Sequence, residues 1–519
     1  MKPLMIQGTG SHVGKSFIVA ALCRVFLRRG IEVAPFKAQN MSNNAAAVTG
    51  GEIGRAQALQ AAAARLDPDV RMNPLLLKPT ANHKSQAVLL GKPLGTFSVS
   101  QIDRRKPVWF RAVRKAFDGL KRENDLVLIE GAGSPAEINL RQVDYANMRV
   151  ADMAGAAVIL VGDIDRGGVF ASLHGTLDLI RPAGRRRVIG FCINKFRGDA
   201  SLLKSGIRFL ESRWNRPALG VIPYDTELRL PEEDSLALAW STRPTPGRMR
   251  SPAGSAAPRP QVPASPTPAG SAPLAPQMPG LVLGLVLTPH IANFTDFDPF
   301  REESDVTIRD VRSPRDLQGT HAILLPGSKN VFADWAFLRR SGLAAAITTD
   351  NTRPIFGICG GYQILGRTIQ DPVGVESGRP AEIEALGILP VRTRFFRKKI
   401  VRPVVRRHRA SRSEIRGYEI HQGLIFPDPP PVRPLFVAAG GEPEGCVSPD
   451  GRVMGTVTHG VFDSDRFRNF YLNQLRKRAG LPSRPPTQFE LEPRIERAAD
   501  LVESHLDIDF VCNCLNSRS

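Results

Sequence analysis

The stretch Pro354–Gly366, P-I-F-G-I-C-G-G-Y-Q-I-L-G, decides the fold of the C-terminal half. Ile355 and Phe356 form an apolar run that reads as a short buried strand. Gly357, Cys359, Gly360 and Gly361 follow, and Ile364 and Leu365 begin an apolar-periodic segment, so the pattern is strand, tight turn, helix. A cysteine in such a turn stands clear of the backbone beside a helix N-terminus, where the dipole and free N–H groups favour a thiolate. The glycines allow a strained turn and let a substrate carbonyl approach the backbone. Nucleophile elbows built on serine use the same geometry. The plainer alternative is a small buried cysteine in a Gly-rich turn, since cysteine is among the most buried residue types.

One hundred residues on stands Met454–Phe462, M-G-T-V-T-H-G-V-F, which reads as a strand ending in His459. A nucleophilic cysteine needs a base delivered by the fold rather than by sequence proximity. Together the two stretches resemble the class I glutamine amidotransferases. The resemblance implies that Cys359 attacks the glutamine amide, that His459 moves the protons, and that ammonia is released. Ile323–Asn330, I-L-L-P-G-S-K-N, is similar to the oxyanion strand-loop of that family. It implies an oxyanion hole at Gly327 and Gly360. One position departs from the larger family, which carries a glutamate two residues after the histidine; here it is Val461. The imidazole must then be oriented by another group. That absence is typical of the cobalamin-pathway branch.

At 519 residues the chain is too long for one core, and two or three domains are expected. No apolar stretch reaches the roughly 18 residues of a membrane span, and the first strand runs directly into a glycine loop, leaving no room for a signal peptide. The six cysteines form neither a disulfide framework nor a zinc pattern, which suits a reducing cytoplasm. The net charge of +20 admits nucleic acid, an anionic surface or an acidic small substrate. The densest patch, Arg392–Arg416, has eleven Lys or Arg and one acid but no aromatic–basic interleaving. It reads as a solvated basic loop, and no nucleic-acid or membrane partner is expected.

The N-terminal half opens with a buried strand over residues 3–7, then G-T-G-S-H-V-G-K-S, Gly8–Ser16, and a helix through Arg29. The loop cradles phosphates with backbone N–H groups; Lys15 reaches the terminal phosphates and Ser16 holds Mg²⁺. Thr9 stands where the strict motif has its first glycine, and the longer spacing from Gly8 to Gly14 resembles the dethiobiotin synthetase group of P-loop enzymes. The loop K-A-Q-N-M-S-N-N, Lys37–Asn44, offers four amides and a hydroxyl, and G-G-E-I-G-R-A-Q, Gly50–Gln57, opens a helix to Arg65. Val127–Glu130 reads as a strand ending in a carboxylate at the ligand edge of an open sheet, which makes Glu130 a second metal ligand or, more plainly, a helix-cap contact. Further strands are read at Ala156–Gly162, Val188–Ile193 and Ala218–Pro223, alternating with helical segments. The fold class is α/β, with two doubly wound domains.

These stretches occur in order with E-G-A-G-S-P-A-E-I-N-L (Glu130–Leu140), D-I-D-R-G-G-V-F (Asp163–Phe170), N-F-T-D-F-D-P-F (Asn293–Phe300) and G-Y-E-I-H-Q-G (Gly417–Gly423). The set resembles the glutamine-hydrolysing cobyric acid synthase family of cobalamin biosynthesis over nearly the whole chain. The resemblance implies ATP, Mg²⁺, glutamine and a corrinoid polycarboxylate as cofactors and substrates. It implies nucleotide contacts at Gly8, Thr9, Gly14, Lys15, Ser16 and Asn194, the last at the adenine edge. Substrate contacts are implied at Lys37, Asn40, Asn43 and Arg166. The reaction implied is amidation of the b, d, e and g carboxylates of adenosylcobyrinic acid a,c-diamide through acyl phosphates. The rivals are cobyrinic acid a,c-diamide synthase and, from another class, a P-loop partitioning or switch ATPase, which leaves Cys359 and His459 unused.

Ser241–Gly280 holds eleven prolines and no acid, a composition that reads as a disordered tether or as a partner-docking segment. It divides a P-loop domain at 1–240 from a glutaminase domain at 281–480. Strands are expected at Val282–Leu287, Ala322–Leu325, Pro354–Phe356 and Val453–Val457, with a closing helix at Ser464–Arg478. Residues 481–519 form a C-terminal extension in which no chemistry is legible.

Overall fold

Near-continuous apolar runs are what parallel strands covered on both faces require, and two sets of them build two sheets. The computed structural model describes residues 1–80, 84–228, 230–231, 280–429 and 431–517. All but the last residue of the proline-rich stretch 241–280 therefore lies outside the described residues.

The first sheet is made of β1 (Leu4–Gly8), β2 (Val33–Phe36), β3 (Leu126–Glu130), β4 (Ala157–Asp163), β5 (Val188–Phe196) and β6 (Ala218–Pro223). Their order is β6-β5-β4-β1-β3-β2, and every neighbour pairs parallel. β1, β3 and β4 are buried along their whole length. The chain leaves β1 for one side of the sheet and later fills the other, so the switch point of this doubly wound sheet lies at β1. Helix α1 (Lys15–Arg28) follows the glycine loop.

The second sheet contains β7 (Leu281–Val286), β8 (Val306–Val311), β9 (Ala322–Leu325), β10 (Ile355–Ile358), β11 (Cys446–Val447) and β12 (Val453–Thr456), in the order β8-β7-β9-β10-β12-β11. All pairs are parallel except that of β11 with β12.

Three segments depart from the sequence reading. Gly51–Gly54 is not the start of a helix but a strand that pairs antiparallel with Ala45–Val48; helix α2 (Arg55–Ala63) begins after it. The stretch 37–44 contains a short strand, Gln39–Met41, at the edge of a four-stranded sheet completed by Leu75–Thr80, Lys84–Leu89 and Lys92–Ser98. The basic patch is not a loop. Val391–His408 is a long strand paired antiparallel with Glu414–Pro427, and several of its charges are paired: Lys399 with Glu52, and Arg402 and Arg406 with Glu419.

The C-terminal extension folds back onto the first domain. Two helices, Glu492–His505 and Ile508–Asn516, pack on α1 and the adjacent face of the first sheet through Ile495, Val502, Leu506, Ile508, Val511 and Leu515. Arg24 of α1 is fully buried and pairs with Glu492 at 2.6 Å and with Glu496. The two domains meet at a small apolar cluster of Ala45, Leu76, Val88, Tyr418 and Ile420. Beside it Glu52 accepts from Lys78 at 2.5 Å and from Lys399, while Lys329 donates to Gln86 at 2.9 Å.

Candidate active sites

Cys359 ends β10 with φ 50° and ψ −105° and precedes a short helix, Gly360–Leu365. A left-handed backbone at a non-glycine residue is strained, and such strain persists where surrounding structure over-determines it. The two glycines after it do so: a Cβ on Gly360 would lie 2.7 Å from the Ser328 nitrogen, and one on Gly361 would run into the Leu325 carbonyl. The cysteine turn is thus clamped against the loop that follows β9.

His459 lies three residues beyond β12, and its Nδ1 is 2.7 Å from Asp296 Oδ2. The other oxygen of Asp296 accepts the Gly460 N–H at 2.8 Å. Cys359 lies close enough to His459 to help raise the imidazole's pKa. The Tyr418 ring stacks on the imidazole at 5.2 Å between centroids, and Tyr418 and His459 exchange both backbone hydrogen bonds. A Cβ on Gly327 would lie 3.2 Å from His459 Cε1, so the strand-loop after β9 abuts both partners of the thiol pair. Burial opposes an imidazolium here, but the charge and hydrogen bond of Asp296, with Cys359, outweigh it and push the His459 pKa up to about 10. Val461, the position that carries glutamate in the larger family, is buried in the apolar core. Asp296 does that work instead. Its motif was legible in the sequence, but its partner was not.

At the other site the loop after β1 turns through Gly14 at φ 96° into α1. Lys15 Nζ donates to the Gly10 and Gly133 carbonyls at 2.7 and 3.1 Å. Ser16 Oγ donates to Glu130 Oε1 at 2.8 Å. The same carboxylate takes Lys37 Nζ at 2.8 Å, Gln60 Nε2 at 2.6 Å and Gln57 Nε2 at 3.3 Å. Burial alone would raise the Glu130 pKa; the Lys37 charge and these hydrogen bonds hold it below the usual carboxylate range. Asn194 Nδ2 donates to the Val13 carbonyl at 2.9 Å, bracing the loop. Lys195 Nζ likewise donates to the His12 carbonyl, and it reaches Asp163 at 3.0 Å.

A cavity of about 2130 Å³ runs along this edge of the sheet, lined by Gly14, Lys15, Ser16, Lys37, Asn40, Glu130 and Asn194 among others. Asn40 also donates to Gln57 at 3.0 Å. Arg166 is exposed on the turn after β4, and Asn43 is half-buried in the 37–44 segment; neither is among the residues lining the cavity. Nor are Cys359 and His459.

Residues 4–237 match the CobQ/CobB/MinD/ParA nucleotide binding domain, and residues 283–467 match the CobB/CobQ-like glutamine amidotransferase domain. The chain is 45% identical to a cobyric acid synthase of Desulforudis audaxviator, across 98% of this chain and 97% of that one. It is 42% identical to a cobyric acid synthase of Nitratidesulfovibrio vulgaris, across 99% and 97%. The chain belongs to the cobyric acid synthase family. A third member, from Moorella thermoacetica, is 43% identical across 98% of this chain and 96% of that one. As a member of the cobyric acid synthase family the protein is a glutamine-dependent ligase of cobalamin biosynthesis, and its two α/β domains are the nucleotide-binding and glutaminase-like halves of that enzyme. The cobyric acid synthase relatives also speak against the partitioning-ATPase rival, which has no use for a thiol near an imidazole–carboxylate pair.

Proposed function

We propose that the protein converts the b, d, e and g carboxylates of adenosylcobyrinic acid a,c-diamide to amides, using ATP and glutamine-derived ammonia. The observation that carries this reading is the His459–Asp296 pair with Cys359 near it, in the same chain as a phosphate loop whose serine meets a buried carboxylate.

At the thiol site, the Cys359 sulfur attacks the glutamine amide carbon and the carbonyl becomes an oxyanion. We assign the backbone N–H groups of Gly360 and Gly327 to stabilise that charge. His459 holds the thiol proton and gives it to the departing nitrogen, which leaves as ammonia. Water then cleaves the thioester, with His459 taking its proton and returning it to sulfur. Asp296 holds the imidazole in the orientation that presents Nε2 to the thiol.

At the phosphate site the substrate carboxylate takes the γ-phosphoryl group and becomes an acyl phosphate. Ammonia adds to that carbonyl and phosphate leaves. Lys15 stabilises the phosphoryl group in flight. We assign Lys37 and Asn40, which line the cavity, to a substrate carboxylate, and Asn43 and Arg166 to outer contacts with the corrinoid. Gly8, Thr9 and Gly14 shape the phosphate cradle, and Asn194 braces it in addition to meeting the adenine edge. Magnesium suits Ser16 and Glu130, because it is commonly held by one or two carboxylates, a hydroxyl and substrate phosphates; bound there it would neutralise phosphate charge. A cavity of about 2130 Å³ exceeds the usual ~300–1,000 Å³ of small-ligand sites, which suits a nucleotide and a macrocycle together.

No described helix is long and apolar enough to cross a membrane. The cysteines are all free, which suits a reducing compartment, and we place the enzyme in the cytoplasm. The test is mass spectrometry of the corrinoid diamide incubated with the protein, Mg-ATP and glutamine. One acid-to-amide mass shift per carboxylate is expected, and a corrinoid of unchanged mass while ATP is hydrolysed would favour a switch ATPase.

A further inference from the structure

Helix α2 belongs to the nucleotide-binding domain, yet its first residue reaches the thiol site. The Arg55 guanidinium lies 5.6 Å from the centroid of the Tyr418 ring. The same ring stacks on His459, with 17° between the planes. Arg55 Nη2 is also 3.8 Å from Asp463 Oδ2, in the turn Val461–Asp463 just after His459. Arg55 therefore touches two elements that flank the imidazole, and it comes from the other domain.

The backbone around Arg55 is anchored on both sides of the seam. Its N–H donates to the Asn44 carbonyl at 3.1 Å, and the next residue along, Ala45, donates to Asn293 Oδ1 at 3.1 Å. Asn293 precedes by one turn the Asp296 that holds His459. One to two turns into α2, Gln57 and Gln60 hold Glu130. The helix is thus tied to the carboxylate of one site and to the histidine support of the other.

We infer that Arg55 is a positioning residue of the glutaminase site: its cation over Tyr418, with its pairing to Asp463, fixes the aromatic platform on which His459 turns over. The physical reason is specific. During the reaction the imidazole hands one proton from sulfur to nitrogen, and a small rotation about its Nδ1 bond to Asp296 would take Nε2 out of line. A ring stacked on its face resists that rotation only if the ring itself is held. Among the described residues the buried Tyr418 hydroxyl has no hydrogen-bond partner, so the hold comes from the ring's face and its backbone. A half-buried guanidinium over the ring supplies the face contact. The inference rests on Cys359 and His459 being the glutaminase pair.

The test uses the full-length enzyme and the variants Arg55→Met and Arg55→Lys, with glutamine hydrolysis and ammonium-driven synthesis measured separately. A contact of this kind predicts that Arg55→Met lowers kcat for glutamine hydrolysis by about tenfold or more. KM for glutamine and the ammonium-driven rate should stay near the parent values, and Arg55→Lys should recover part of the loss. If kcat for hydrolysis is unchanged, or if the ammonium-driven rate falls by the same factor, Arg55 is domain glue and the inference is wrong. Should Arg55→Met not fold, Tyr418→Leu removes the platform from the other side and must give the same kcat-selective loss. Cys359→Ala is run in parallel. If that variant still hydrolyses glutamine at the parent rate, the thiol assignment fails and Arg55 is not what was tested.

Discussion

Asp296 Oδ2 lies 2.7 Å from His459 Nδ1, across 163 residues of sequence, while Oδ1 of the same carboxylate accepts the Gly460 N–H. The acid that orients the base is therefore supplied from a short turn before β8 rather than from the strand that carries the histidine. Asp296→Asn should cut glutamine-dependent synthesis by about a hundredfold or more, while ammonium-driven synthesis stays close to the parent rate. The pH profile should move as well. Burial would lower the His459 pKa, but Asp296, with a smaller part from Cys359, raises it from 6.5 to about 10, so loss of Asp296 brings the alkaline limb of glutaminase activity to lower pH. The same pair stabilises the fold fully below pH 6.5, and that contribution fades as pH rises through about 10. Rate–pH profiles of parent and variant check this; superimposable profiles would remove Asp296 from the site.

How much of this was legible beforehand follows from which contacts are local. Cys359 announces itself because strand, glycine turn and helix are consecutive in sequence, and Lys15 and Ser16 for the same reason. Glu130 was readable because a strand end fixes where its side chain must be, and Ser16 does meet it. Asp296 lay inside a quoted motif, but nothing within that motif points to a histidine so far downstream. The Gly51–Gly54 strand was hidden because its partner is the run of small residues Ala45–Val48, which carries no alternating pattern. The last two helices were opaque because what they bury against, α1, lies at the opposite end of the chain.

Those helices carry the next prediction. Ile495, Val502, Leu506, Ile508, Val511 and Leu515 are buried in the first domain's core. At about 2 kcal/mol for each large side chain, their removal costs as much as the ~5–15 kcal/mol net stability of an ordinary domain. A chain ending at residue 490 should be insoluble or unfolded, and its glutaminase half alone should give a thermal transition. Full ammonium-driven synthesis by that truncated chain would show the extension to be dispensable.

Glu52 is fully buried between Lys78 and Lys399, which come from different domains. Burial would raise its pKa, but the two ammonium groups outweigh it and pull it down to about 2. Lys78 moves the other way from a paired lysine: burial lowers it to about 7, because Lys399 and Lys329 repel it while it shares one carboxylate. Glu52→Gln leaves buried ammonium groups without their counter-charge, a change that costs about 3–5 kcal/mol. Urea unfolding at pH 7 should register that loss. In the parent the Glu52 contribution is present above pH 4.5 and disappears as pH falls through about 2, so the variant's stability should be flatter across that window. Equal midpoints for parent and variant would mean the seam does not depend on this carboxylate.

Two sites, each with its own chemistry, is the central claim, and one comparison bears on it most directly. Cys359→Ala and Lys15→Ala are assayed for corrinoid amidation, first with glutamine and then with ammonium salt at alkaline pH. Cys359→Ala lacks the sulfur that forms the thioester, so amidation from glutamine should vanish while amidation from ammonium persists. Lys15→Ala lacks the cation at the terminal phosphates, so both nitrogen sources should fail. Full glutamine-dependent amidation by Cys359→Ala would contradict the account.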